Sequence, residues 1–351
     1  MPPRSRNCSA IAALVLLSQA GATLAQWPPL ATPRPSPAAS VSQTVGVTEI
    51  EVDYSRPKVN ARTVWGDLVP YGEVWRAGAN ENTVVSFSTP VEVEGRELAA
   101  GSYGLHMIPT AQDWTVVFSR VVTNWGSFSY AESDDALRLQ VRPEPSPFEE
   151  ALSYRFEDPT DTSVVLALRW EKLRLPIRVE VDTPALVVAG LRRDLHGLQQ
   201  FFWQPWNQAA NYCLQNKVEL EQAMAWADRS IAINRNFANV NTKARLLALG
   251  GDAAAARALI DEALPKANEQ ELNLYGYQLM NDKDVTGAIA IFRRNVAEHP
   301  ESWNVHDSLG EGLAAAGETA AAIAAYEKAL AMAPEAQRSR IEAILGKLRR
   351  K

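Results

Sequence analysis

The first half of the chain alternates apolar with polar residues over short distances. From Ile50 to Tyr54 and again from Leu137 to Val141, every second residue is apolar and its neighbours are polar. A period of two predicts strands that bury one face and leave the other in water. Runs of this kind recur through residues 43–182, with glycines between several of them. We therefore predict an antiparallel β-sandwich over this range.

The second half replaces this alternation with a helical pattern that repeats. Equivalent positions return every 32 to 34 residues, and three sets of them agree over four units. The sets are Leu214, Leu247, Leu279 and Leu313; Ala223, Ala256, Ala288 and Ala322; and Ala227, Ile260, Phe292 and Tyr326. A period of this length predicts stacked helix pairs that bury their apolar faces against one another. Residues 183–351 are thus predicted to form an all-α solenoid of about four repeats followed by a capping helix.

Two resemblances to known families accompany these patterns. The last repeat contains Leu309-Gly310, Ala322, Tyr326, Ala329 and Pro334, and with these residues it resembles the tetratricopeptide consensus. A second set of segments, all in the β region, is Tyr54-Ser55-Arg56-Pro57, Trp65-Gly66, Leu68-Val69-Pro70-Tyr71-Gly72, Val74-Trp75-Arg76-Ala77-Gly78-Ala79-Asn80-Glu81, Gly101-Ser102-Tyr103, Ile108-Pro109, Trp114, Trp125-Gly126 and Tyr130. Through them the β region resembles the family catalogued as domain of unknown function 2911. This resemblance implies an exported bacterial protein followed by helical repeats, and it transfers no catalytic residues.

The N-terminal residues have the layout of a secretory signal peptide. Two arginines precede an apolar run from Ala10 to Leu17, and small residues follow up to Ala25. The run is too short to span a bilayer, so residues 1–25 are expected to direct export and to be removed. An ordinary N-terminal helix is the alternative. Residues 26–42 are rich in proline and predict an extended tether. The expected location is the periplasm or the extracellular space, and no transmembrane segment is predicted.

One segment of the β region has no clean period. Residues 55–82 mix aromatic residues, arginines and turn-forming glycines and prolines. Long structured loops are often functional, and this composition suits an anionic or sugar-like ligand, because arginine holds carboxylate or phosphate and aromatic faces stack. The candidate ligand-binding residues are Arg56, Arg62, Trp65, Tyr71, Trp75, Arg76, Asn80 and Glu81. The alternative is a loop that closes one end of the sandwich, with its arginines paired to local acids.

The helical half offers a second candidate binding surface. Arrays of helix pairs form a concave face that commonly holds an extended peptide or a partner protein. Candidate groove residues on the first helices of the repeats are Asn207, Asn211, Lys243 and Asn273. The alternative is that the array serves only as a rigid platform for the β domain.

Composition and charge narrow the function classes further. The net charge of -6, from 35 basic and 41 acidic residues, disfavours a nucleic-acid binder. Two cysteines and four histidines are too few for a Cys/His zinc site or a disulfide framework, and no metal or cofactor is predicted. The chain also lacks a Gly-rich phosphate loop and a Gly-x-Ser-x-Gly elbow. His106, on the polar face of a strand, is expected to be an ordinary surface histidine.

These observations favour an exported, non-enzymatic binding or scaffolding protein. The loop of residues 55–82 would recognise a small molecule or glycan, and the repeat array would hold a protein or peptide. The alternative is an envelope hydrolase with its site in the same loop. In that case Glu81 or Asp67 would act as acid or base, and an arginine would hold the substrate. A third possibility makes the β domain purely structural.

Overall fold

The computed structural model describes residues 32–350. Within them ten β-strands precede ten α-helices, and the change falls between Glu180 and Thr183. The prediction of an antiparallel β-sandwich followed by an all-α solenoid is confirmed. The predicted signal peptide, residues 1–25, lies outside the described residues, as does the first part of the predicted tether.

Two antiparallel sheets face each other in the β domain. The strands are β1 (Ala38–Val45), β2 (Thr48–Ser55), β3 (Thr83–Phe87), β4 (Val91–Val93), β5 (Arg96–Leu98), β6 (Gly101–Ile108), β7 (Trp114–Ser119), β8 (Asp135–Val141), β9 (Glu144–Glu157) and β10 (Ser163–Glu180). One sheet has the order β1-β2-β3-β6-β7-β8 and the other β5-β4-β10-β9. The apolar residues of the alternating runs meet between the sheets in one core, in which Trp114 and Trp170 are fully buried.

The sheet begins earlier than the sequence predicts. Strand β1 starts at Ala38, and its pairing with β2 runs from Ala38 opposite Ser55 to Val45 opposite Thr48. Residues 38–42, assigned above to the tether, therefore belong to the sandwich. The prediction was wrong there because an edge strand that buries little surface has a weak apolar alternation, and the partner strand supplies the pairing.

The helices form pairs in the order that the repeat predicts. They are α1 (Thr183–Asp194), α2 (Trp203–Asn216), α3 (Leu220–Ile233), α4 (Phe237–Leu249), α5 (Ala253–Ala263), α6 (Glu269–Asn281), α7 (Val285–Glu298), α8 (Trp303–Ala315), α9 (Thr319–Met332) and α10 (Glu335–Leu348). Four pairs, from α2–α3 to α8–α9, carry the repeated leucines on their first helices and the repeated alanines on their second. Helix α1 precedes them, and α10 covers the end of the stack.

Close approach of the paired helices explains the glycines of the last two units. A Cβ atom on Gly276 would lie 2.3 Å from the ring of Phe292, and one on Gly310 would lie 2.9 Å from the ring of Tyr326. Each aromatic ring therefore packs into the space that a missing side chain leaves on the first helix of its unit. Among residues 32–350, no helix is long and apolar enough to cross a membrane.

Candidate functional site

The outer face of β6 is covered by the connection between β7 and β8. Residues 120–134 fold back over this face, and a Cβ atom on Gly104 would lie 2.4 Å from the carbonyl oxygen of Val121. His106 lies on the same face of the strand, two residues further on. Its side chain is fully buried, so the prediction of a surface histidine was wrong. The polar face of this strand is buried because a connection packs on it.

Burial leaves His106 with one hydrogen-bond partner. Its Nδ1 lies 3.0 Å from the hydroxyl of Ser127, and within residues 32–350 its Nε2 is buried without any partner. Burial lowers the pKa of His106 from 6.5 to about 4, against a smaller opposing effect of the Asp135 carboxylate. The ring is therefore neutral at pH 7. Within residues 32–350 no carboxylate forms a hydrogen bond with this ring, as one does to orient a catalytic histidine.

A small polar network fixes the end of the covering connection. The hydroxyl of Tyr130 lies 3.0 Å from both carboxylate oxygens of Asp135, and Arg138 donates to Asp135 from Nε and to the Tyr130 hydroxyl from Nη2. Only 11% of the Asp135 side chain is exposed. Because these three side chains form hydrogen bonds with one another, they hold the connection firmly against the sheet.

The connection and the loop of residues 55–82 pair directly. The backbone N–H of Asn82 donates to the Asn124 carbonyl, and the backbone N–H of Gly126 donates to the Asn80 carbonyl. Between them lies a pocket of about 320 Å³. It is lined by Leu68, Val69, Pro70, Glu73, Val74, Trp75, Arg76, Ser127, Phe128 and Tyr130. Part of the predicted loop therefore lines a cavity, together with residues that the sequence interpretation did not connect to it.

Arg76 and Glu73 are the two charged residues that the described chain contributes to the lining of this pocket. Its Nε is buried, and within residues 32–350 its guanidinium has neither a hydrogen-bond partner nor a carboxylate within 4.0 Å. Burial lowers the pKa of this guanidinium. Gly126, at a φ of 73°, leaves room for it, since a Cβ atom there would lie 2.9 Å from both Nη1 of Arg76 and the ring of Phe128. An arginine held in this way lacks the counter-ion that usually accompanies a partly buried charge.

The other two predicted arginines contact the backbone instead. Nε of Arg56 donates to the Leu152 carbonyl, and Arg62 donates to the carbonyls of Val59 and Lys58. Neither residue lines the pocket beside Arg76. Arg56 therefore ties the loop to β9, and Arg62 shapes the loop itself.

The predicted aromatic residues separate into a core group and a surface group. Trp65 packs edge to face against Trp75, Trp114 and Trp170, at ring distances of 4.8 to 5.9 Å. Trp75 also lines the pocket, and its indole nitrogen donates to the Gly78 carbonyl. Tyr71 is exposed and lies over Gly66. Among the predicted aromatic residues, Trp75 is the one that joins core and pocket.

Asn80 and Glu81 lie on the side of the loop next to β1. Asn80 donates to the carbonyl of Ser36 and the hydroxyl of Ser55, while Glu81 forms an exposed ion pair with Arg34 at 2.7 Å. A backbone hydrogen bond and the pairing with Arg34 lower the pKa of Glu81. This ionised carboxylate does not suit the general-acid role of the hydrolase alternative. Asp67, the other candidate, is exposed.

The helical array contains a groove of about 460 Å³ on the face formed by α2, α4 and α6. Two of the predicted groove residues, Asn207 and Asn211, line this groove. Six amide side chains contribute in all: Asn207, Asn211, Gln215, Asn241, Gln278 and Asn281. Oδ1 of Asn207 is buried without a partner among the described residues, and Asn241 donates to Gln278 over 2.6 Å.

The remaining two predicted groove residues lie elsewhere. Lys243 is directed towards α3, where it forms an ion pair with Asp228. Asn273 is half-buried and does not line the groove, although its Oδ1 also has no partner within residues 32–350. In the same part of the chain no three metal-binding side chains lie together. The single free cysteine there, Cys213, is buried, and burial raises its pKa.

Comparison with known families gives a match over the β domain. Residues 36–179 match the model of the family described as protein of unknown function (DUF2911). This confirms the resemblance drawn from the motifs, over nearly the same range. The pocket beside Arg76 is built entirely from residues of this family region.

Solved structures similar to the chain include one that is described as a TPR protein. YrrB, "a TPR protein with an unusual peptide-binding site", is 15% identical, and the match covers 45% of this chain and 81% of that one at a TM-score of 0.29. PilF of Pseudomonas aeruginosa is 20% identical over 42% of this chain and 67% of that one, at a TM-score of 0.31. No curated protein matches the chain. Similarity this low assigns neither a partner nor an activity.

Sequence reasoning missed the part of the pocket that residues 120–134 supply, namely Ser127, Phe128 and Tyr130. Ser127 and Phe128 lie about fifty positions from Arg76, in a segment without periodicity. Two glycines signal the close approach. Gly104 interrupts the polar face of β6 where the connection packs, and Gly126 adopts a positive φ beside the arginine.

Proposed function

We propose that this chain is an exported scaffolding protein that binds a protein or peptide through its helical array and a small ligand through its β domain. The observation that carries the first part is the set of amide side chains on three successive first helices of the array. The second part rests on the pocket beside Arg76.

The groove suits the backbone of an extended peptide. A carboxamide donates and accepts hydrogen bonds, so a row of them can pair with successive peptide groups whatever the side chains are. Asn207 has an acceptor that no described group uses, and Asn211 and Asn241 lie beside it in the same groove. Phe237 and Leu274 supply apolar contacts along the wall. A bound peptide would satisfy polar atoms that the groove leaves open.

The same groove argues against a mere platform. Every residue that lines it belongs to the helical half, and none belongs to the described strands. The β domain instead meets the array through α1, where Leu186 packs against the sandwich core and the Thr183 hydroxyl donates to the Asp161 carbonyl. Because the groove is not used for packing the two halves, it is free to take a partner.

Export is the part of the proposal supported by sequence alone. The basic start, the apolar run and the small residues before Gln26 support it, as does the proline-rich segment that follows. The periplasm and the extracellular space both fit this reading.

A displayed library of unstructured peptides tests the groove directly. We expect selected peptides to bind the chain. The variants Asn211→Ala and Asn241→Ala should each weaken this binding at least tenfold, because each removes the donor and the acceptor of one carboxamide from the groove. Calorimetry with one selected peptide measures the change. Lys243→Ala is the matched control, since this helix residue is directed away from the groove. Equal loss in all three variants, or no selected peptide, would rule out the groove as the binding site.

A further inference from the structure

The β-domain ligand can be specified further, on the basis of the proposed ligand recognition by this domain. We propose that the pocket formed by Arg76, Ser127 and Phe128 binds a small organic monoanion, namely a carboxylate attached to an apolar or aromatic body. The proposal stands on the charge of the pocket, its hydrogen-bond donors, its walls and its size.

The guanidinium of Arg76 is the unpaired positive charge that the described residues give this pocket. Within residues 32–350 no acidic side chain pairs with Arg76, although most arginines of the β domain pair with a carboxylate or bind backbone carbonyls. The buried Nε–H of Arg76 has no acceptor among the described residues, which indicates that a ligand supplies one. A carboxylate fits this position, because the two oxygens of its plane match two parallel N–H donors of a guanidinium.

Ser127 offers a second donor at the same place. A neutral histidine carries its proton on either ring nitrogen. With the proton on Nδ1, His106 donates to the Ser127 hydroxyl oxygen, and its orphaned Nε2 is only an acceptor. The other tautomer would bury an N–H without an acceptor, and proteins avoid an unpaired buried donor more strictly than an unpaired buried acceptor. The Nδ1 tautomer leaves the hydroxyl hydrogen of Ser127 free to donate into the pocket that this residue lines.

The surroundings favour one negative charge over two. Among residues 32–350, Arg76 is the one cation that lines the pocket, and the exposed residue Glu73 lines it as well. A dianion such as phosphate would gain one ion pair and meet the repulsion of Glu73. A carboxylate brings the single charge that Arg76 can neutralise.

The walls determine the rest of the ligand. Trp75 and Val74 line the pocket beside the guanidinium, and Phe128 stands at its edge with 89% of its surface exposed. A phenylalanine so exposed gains by covering the flat face of a bound molecule. The cavity of about 320 Å³ is at the lower end of the range for small-molecule sites, so it fits a single ring with a short acidic substituent.

The test uses the full chain and three probes of one shape: phenylacetate, its neutral amide, and benzylphosphonate. Titration followed by ligand-observed NMR and tryptophan fluorescence gives each dissociation constant. We expect phenylacetate to bind with a constant on the order of 1 mM, as a fragment of this size can. The amide and the phosphonate should bind at least tenfold more weakly. Arg76→Gln should weaken phenylacetate binding at least tenfold, and Phe128→Ala several-fold.

Arg142→Gln is the control, because Arg142 is an exposed arginine of the same domain whose partner is Asp113. It should leave binding unchanged. Equal binding of acid and amide, tighter binding of the phosphonate, or binding that survives Arg76→Gln would overturn the carboxylate site, as would the absence of binding by every probe. A neutral sugar is titrated separately as a fourth probe. If it binds, and its binding is lost in Trp75→Ala but not in Arg76→Gln, the carboxylate site is overturned while ligand recognition by the loop is sustained. Peptide binding in the helical groove is measured separately and is tested by the variants Asn211→Ala and Asn241→Ala.

Discussion

At the scale of single residues, burial decides which polar groups are available for chemistry. His106 and Arg76 both lose solvent to the connection of residues 120–134, but with different outcomes. The histidine becomes neutral, because desolvation disfavours its charged form. The arginine remains charged at pH 7, since its ordinary pKa is far above that range. The polar part of the pocket therefore consists of the Ser127 hydroxyl, with the neutral ring of His106 behind it, and the charged guanidinium of Arg76.

The neutral state of His106 predicts a specific dependence of stability on pH. Its pKa is 6.5 in the unfolded chain and about 4 in the folded one. Between these values the unfolded state binds the extra proton, so the contribution is fully present above pH 6.5 and is lost as pH falls towards 4. The loss amounts to roughly 3 kcal/mol in the free energy of unfolding.

Urea unfolding of the β domain from pH 7.5 to 4, followed by tryptophan fluorescence, measures this effect. The variant His106→Phe should lose less stability over the range than the wild type, because its ring cannot take up a proton. His196→Gln serves as control, since His196 is exposed in the helical half. Parallel pH profiles for wild type and His106→Phe would show that the buried ring does not carry the effect.

At the scale of elements, the same small residue has opposite roles in different helices. Gly276 lies in α6 under the buried ring of Phe292, whereas the space over Gly190 in α1 holds only an arginine side chain at 3.8 Å. Glycine lowers helix stability wherever it is not needed for close packing. The glycine of α6 is therefore a packing requirement, and that of α1 is not.

Alanine at these two positions should shift stability in opposite directions. We expect Gly276→Ala to lower the free energy of unfolding by about 1–3 kcal/mol, because its Cβ overlaps the Phe292 ring. Gly190→Ala should raise it by about 0.5–1 kcal/mol through helix propensity. Thermal unfolding followed by circular dichroism at 222 nm compares the two. A gain in both variants would mean that α6 and α7 can move apart at little cost.

At the scale of the whole molecule, the two halves differ in how they hold together. The sandwich has one core between two sheets, whereas the array has several smaller clusters, each between neighbouring helices. Stability in such an array is local, so damage at one end spreads only to the adjacent units. Helix α10 protects the last unit by burying Ile341 and Leu345 against α9.

Loss of this cap should unfold the end of the array and leave the β domain intact. Ile341 is fully buried, and Ile341→Ala should cost the last unit about 2–4 kcal/mol. Hydrogen exchange with mass spectrometry should then show faster exchange in α8, α9 and α10, with residues 38–181 unchanged. Glu342→Ala, one position along on the exposed side of the helix, should exchange like the wild type. Faster exchange throughout the chain would contradict the local character of the array.

The sequence by itself determined the two architectures and their order. Strand alternation and the helical repeat are local signals, because each residue's face follows from its position along its own strand or helix. The sequence also proposed Arg76 and Trp75 as candidates, an arginine and an aromatic residue in an aperiodic loop, and both line the pocket. It proposed Asn207 and Asn211 from their positions on first helices, and both line the groove.

Only the tertiary structure decided which of these residues meet. It brought Ser127 and Phe128 to Arg76, buried His106 on a face that alternation marks as polar, directed Lys243 out of the groove, and extended the sandwich to Ala38. The pocket beside Arg76 and the burial of His106 depend on a segment distant in the chain, whereas Ala38 and Lys243 pair with the neighbouring strand and helix. A sequence pattern records which face of an element is apolar, but not which distant segment comes to cover the other face.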